Sequence, residues 1–157
     1  MLRPPPKFVY VRWIGLLATL IPMSALLIIY LFSPAPLEGL LYSIAVITPL
    51  LFFSYYLDLI MRLIPMPERI KHPFLKVWIS WIIAFPIARL GISEPIIAKL
   101  IGSTIIFDGG AIFARALFAM LFLGAIYGVF FYTAYMVLFR IYVRRKLSKG
   151  ALPEEFY

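Results

Sequence analysis

Between Met61 and Lys76 the chain reads MRLIPMPERIKHPFLK, its only long polar interruption before the carboxy-terminal tail. On either side stand apolar runs too long for an ordinary soluble core, so this loop divides a membrane protein in two. A hydrocarbon layer of about 30 Å takes about 20 apolar residues per helix. The runs are continuous rather than alternating, which excludes the roughly 10-residue strands of a membrane barrel and leaves helices as the spanning form. Composition agrees: 64% of the 157 residues are hydrophobic and 14% are charged, against about 45–50% and 25% in soluble domains. The expected fold is all-α, one polytopic bundle over residues 1–157 with four transmembrane helices and a short interfacial or re-entrant helix before the last of them.

The expected spans are 12–32, 37–64, 75–91 and 111–143. Arg3, Lys7 and Arg12 precede the first run, which is of spanning length and is followed by Ser33, Pro34, Ala35 and Pro36 rather than by a cleavage site, so it reads as a retained anchor. The short SPAPLEG turn makes the first two runs a helical hairpin. Pro22 and Pro49 fall near the middle of their runs and predict kinks, as packing irregularities or as hinges. After Gly91, Ser93, Glu94 and Pro95 read as a helix start. That helix is expected over 94–107, too short to cross, with Lys99 in its middle and a stop at Asp108, Gly109 and Gly110.

Charge sets the orientation, because lysine and arginine gather on the cytoplasmic side of short loops. With four crossings and both termini in the cytoplasm of a cell-membrane protein, twelve of the fifteen basic residues fall inside, and only Arg89, Lys99 and Arg115 fall outside. The net charge of +8 therefore speaks for membrane lipid rather than nucleic acid. Arg140, Arg144, Arg145 and Lys146 are expected to meet anionic lipid headgroups.

Ionisable groups beside apolar runs are the candidate functional residues. Asp58 and Arg62, four apart, predict a charge pair on one helix face; the alternative makes Asp58 a proton or cation site lined by Tyr55 and Tyr56. Arg89 and Glu94 form a second possible pair that fixes the outer turn. His72 is the only histidine, and cysteine is absent, so no metal, haem, cofactor or catalytic set is expected. Gly124 and Gly128 make a small-xxx-small step that permits close helix approach, within the bundle or with another chain. The absence of Asn and Gln, with abundant Ile and Pro, fits a thermophile's protein.

The stretch GISEPIIAKLIGSTIIF resembles part of small four-helix families associated with polyprenyl-linked sugar transfer across membranes. The likeness covers that stretch alone and assigns no residue a role. Two functions follow as expectations. The first is a non-catalytic membrane subunit that stabilises a larger complex, such as a respiratory or other energy-converting assembly, with other membrane subunits as partners. The second is a small transporter or lipid-linked carrier using the broken helices and Asp58.

Overall fold

The computed structural model describes residues 7–65, 72–101 and 110–156. Four helices are long and apolar enough to cross a membrane, as the apolar runs require. Helix α1 (Arg12–Leu31) and α2 (Pro36–Tyr55) form the expected hairpin, α2 opening with Pro36 at its first position and Glu38 in its first turn, where a fixed φ and a negative charge both suit a helix start. The second run does not continue unbroken to residue 64. It breaks at Tyr56, and a separate helix, α3 (Leu57–Leu63), follows.

The third span begins where His72 caps α4 (Pro73–Pro86), the Phe74 N–H donating to His72 Nδ1 at 3.3 Å. It does not end at Gly91. The chain passes through a π-helical turn, Ile87–Ser93, directly into α5 (Glu94–Ile101), so the helix expected as a separate piece is joined to the span before it. Pro95 supplies the physical reason: its ring would collide with the carbonyl four residues back in a straight α-helix. In the wide turn Ser93 Oγ and the Glu94 N–H instead donate to the carbonyls five residues back, those of Ala88 and Arg89, which relieves that crowding without a break. Asp108, Gly109 and residues 102–107 of the expected helix lie outside the described residues.

Helix α6 (Gly110–Ser148) is 39 residues long, about 58 Å at 1.5 Å per residue. It outlasts the expected end at residue 143 because its real stop is Gly150, with φ +92°. There the Gly150 N–H bonds to the Leu147 carbonyl and the Ala151 N–H to the Lys146 carbonyl, both at 3.1 Å, closing a left-handed cap that glycine adopts without strain. The tail then turns back, with a single 3-10 turn at Pro153–Glu155, and the Lys7 N–H donates to the Phe156 carbonyl at 2.7 Å.

The core lies along one face of α6, where Tyr127, Phe131, Tyr135 and Phe139 recur every fourth residue and stack ring on ring, 5.9 to 6.3 Å between centroids. Trp81, fully buried on α4, sets its ring edge-to-face on Tyr127 at 4.6 Å. Close approach of α4 and α6 depends on Gly124 and Gly128: a Cβ at Gly124 would stand 2.9 Å from the Phe85 Cβ and the Trp81 carbonyl, and one at Gly128 3.0 Å from Trp78 Cδ1. The small-xxx-small step is therefore filled inside this chain, and Trp78 Nε1 seals it with a 2.8 Å bond to the Ala125 carbonyl.

Candidate functional site

Polar groups inside the bundle gather at three places, one at each end and one between. The first is the end that carries Arg12, Arg62 and Lys76, called here the basic end. Because α2 breaks at Tyr56, Asp58 sits in the first turn of α3 and meets α1: Arg12 Nη2 donates to Asp58 Oδ2 at 3.1 Å. The expected pairing of Asp58 with Arg62 does not form. Arg62 is exposed, and among the described residues it makes no ion pair. The Arg12 guanidinium also lies over the rings of Tyr55 and Tyr56, 5.3 and 5.5 Å from their centroids, so the two tyrosines expected to line a cation site instead hold an arginine of the chain itself. Asp58 Oδ1 is buried without a hydrogen-bond partner.

Next to this pair a column of hydroxyls runs inward between α1, α2 and α6. The Tyr127 hydroxyl donates to Thr19 Oγ1 at 3.0 Å, Thr19 Oγ1 contacts Ser54 Oγ, and Ser54 Oγ donates to the Leu50 carbonyl at 2.8 Å. The Tyr10 hydroxyl donates to the Ser54 carbonyl, two residues before the helix break. Its neighbour Tyr135 stacks on it at 5.1 Å, donates to the Val9 carbonyl and accepts from the Val11 N–H, both at 2.7 Å. Burial, with Tyr135 and Asp58 nearby, pushes the Tyr10 phenol up from its ordinary value, so it stays a neutral donor. These bonds strap residues 7–11 across the basic end. Gly15 is what admits the Tyr10 ring, since a Cβ there would collide with the hydroxyl oxygen.

At the far end Arg89 Nη2 donates to Glu94 Oε1 at 3.0 Å and to the Tyr42 hydroxyl at 3.1 Å, and its guanidinium lies 5.7 Å from the Tyr42 ring centroid. The second expected pair is thus present. Its members are five residues apart, which the π-helical turn brings to one side. Arg89 Nη1 is buried without a partner. Tyr42 also lines a cleft of about 450 Å³ with Tyr30, Ser33, Glu38 and Gly39 in the hairpin turn.

The Val11 N–H meets the Tyr135 hydroxyl, so Tyr135 marks on α6 the level at which α1 begins. From there Arg140 is about 8 Å further along the axis, Arg144 about 14 Å and Lys146 about 17 Å, and these three and Arg145 are exposed.

Tyr10, Gly15, Thr19, Ser54 and Tyr127 carry little mark in the sequence, where the one available signal is a hydroxyl in each of three apolar runs. No protein-family model, no curated protein and no solved structure matches the chain.

Proposed function

We propose that the chain is a non-catalytic integral subunit that packs in and stabilises a larger membrane complex, such as a respiratory or other energy-converting assembly. The observation that carries this reading is how its internal polar groups are used. Asp58 and Glu94 are each paired with an arginine of the same chain. The buried hydroxyls of Thr19, Ser43, Ser54, Ser80 and Ser93 all bond to helix carbonyls or to one another. A site that takes up a solute keeps convergent polar groups open to a cavity; apart from Asp58 Oδ1, Trp81 Nε1 and Arg89 Nη1, which have no partner, the buried groups named here bond within the chain and hold helices in place. Extraction in mild detergent followed by native mass measurement tests the reading. A species heavier than the 18.0 kDa chain, containing other proteins at fixed ratio, supports it, and a chain that runs alone rejects it.

A small transporter or lipid-linked carrier is the second reading, favoured by the unpartnered Asp58 Oδ1 and the hydroxyl column beside it. Its test is flux in vesicles: Asp58→Ala would abolish transport while leaving assembly intact. For orientation, we place the basic end and both termini in the cytoplasm of a cell-membrane protein, on the support of the charge count along the sequence, which assigns twelve of the fifteen basic residues to that side. A single cysteine at Ala35 then reacts with an impermeant reagent from outside and one at His72 does not; labelling of position 72 from outside reverses the assignment.

A further inference from the structure

The break between α2 and α3 has no local cause. Sharp bends in helices ordinarily fall at proline or glycine, and residues 50–64 contain neither. Ser54 contributes a little, its Oγ bonding back to the Leu50 carbonyl at 2.8 Å, a contact that bends a helix only slightly. Yet Tyr56, at φ −99° and ψ 17°, leaves the helical course, and the Leu59 N–H bonds to the Tyr56 carbonyl, three residues back instead of four, at 3.0 Å.

What the local sequence does not impose, tertiary contacts do. In an unbroken helix the Ser54 carbonyl accepts from the amide four residues on, that of Asp58, and Asp58 has Arg62 on its own face. Here the Ser54 carbonyl accepts from the Tyr10 hydroxyl, and Asp58 pairs with Arg12. Both substitute partners come from residues 10–12, where the strap enters α1. The strap is itself pinned, by Tyr135 at Val9 and Val11 and by the Phe156 carbonyl at the Lys7 N–H.

We propose that residues 7–12 are the latch of a two-state hinge at Tyr56. Seated, they hold the break. Lifted, they let α2 and α3 join into one helix over 36–63: the Ser54 carbonyl passes from the Tyr10 hydroxyl to the Asp58 N–H, and Asp58 passes from Arg12 to Arg62. The exchange replaces one carbonyl hydrogen bond by another and one ion pair by another, so the two forms lie close in free energy, as a bistable element requires. Burial of Leu57, complete in the bent form, tips the balance toward the seated latch.

Residue-level hydrogen exchange of the full chain in lipid nanodiscs tests the hinge in wild type, Tyr10→Phe and Tyr10→Phe/Arg12→Ala. Exchange at the Asp58 amide should slow at least about threefold in the double variant and less in Tyr10→Phe, because losing two such contacts shifts a two-state equilibrium by about tenfold. A purely structural loss speeds exchange, so slowing at one amide is particular to the hinge. In the Tyr10→Phe background, Asp58→Ala and Arg62→Ala should also become non-additive. Unchanged or faster exchange at Asp58 in both variants would overturn the proposal and leave the break to the packing of Leu57. Additivity of positions 58 and 62 in the Tyr10→Phe background would overturn the exchange of partners. If the double variant unfolds, Tyr10→Phe, which removes one oxygen, is read by the same two criteria.

Discussion

Among the described residues each end of the bundle holds one arginine–carboxylate pair, and the two are built in opposite ways. At the far end Arg89 and Glu94 belong to one continuous helix, both side chains are only 11% exposed, and Tyr42 of α2 completes the contact. At the basic end Arg12 and Asp58 come from helices 46 residues apart in sequence and are 39% and 19% exposed. A local pair is brought together by its helix, so removing a member changes no connection but strands a charge where water is scarce. A long-range pair joins two elements, yet at the boundary each member can find water or a headgroup when the other is gone. Free energy is therefore concentrated at the far end and connectivity at the basic end.

The sharpest way to break that contrast is Glu94→Gln. Arg89 Nη1 already lacks a partner, and the substitution leaves the guanidinium with Tyr42 and an uncharged amide. Removing one member of a buried pair is strongly destabilising, and the expected loss is about 3 kcal/mol in equilibrium unfolding from mixed micelles. A loss below about 1 kcal/mol, the range of exposed pairs, would mean that Arg89 reaches the headgroups and that the two ends are alike.

A smaller effect is expected at the strap over the basic end. In Gly15→Ala the new methyl would collide with the Tyr10 oxygen, so the phenol must leave and the Ser54 carbonyl loses that donor. Overpacking and a lost buried hydrogen bond together set the loss at about 2 kcal/mol, and Tyr10→Phe, which removes only the hydroxyl, at about 1 kcal/mol. Faster hydrogen exchange at the Val11 amide should accompany both. Unchanged stability in Gly15→Ala would show that residues 7–11 do not seat on the bundle.

The same contrast explains how much was legible in the sequence. Apolar length fixes four crossings because no polar backbone survives in lipid without internal partners, and α1 begins and ends within a residue of the expected bounds. Glu94 lies close to Arg89 in the chain, so that pair could be read before its wide turn was known. Asp58 misleads for the converse reason. Spacing of four offers Arg62, and both do lie in α3, but the break at Tyr56 turns the first turn of α3 toward α1, where Arg12, 46 residues earlier, takes Asp58 instead. Gly15 looks like any glycine of an apolar helix until Tyr10 is seen against it. Gly150 was passed over because hydropathy falls at Arg144, although a helix needs no apolar residues once it has left the lipid and arginines near its carboxy terminus suit its dipole.

The smallest expected effects separate the partner that was read from the partner that is present. Arg12→Ala removes both the pair with Asp58 and the stacking over Tyr55 and Tyr56, so it should be the most costly of the three single variants. Asp58→Ala leaves that stacking in place and frees Arg12 to reach the headgroups, so it should cost less than about 1 kcal/mol. Arg62→Ala, at an exposed position with no ion pair among the described residues, should fall within about 0.5 kcal/mol of wild type. The order of the three single variants already tests the arrangement, and the double variants test it independently of what each residue does alone. Arg12→Ala with Asp58→Ala should be non-additive, whereas Asp58→Ala with Arg62→Ala should be additive within about 0.3 kcal/mol. Because exposed charges are screened, the first coupling should shrink between about 0.05 and 0.5 M salt, while the loss in Glu94→Gln should not. Coupling between positions 58 and 62 with none between 12 and 58 would return Asp58 to a pair along its own helix and remove the link between α1 and α3 at the basic end.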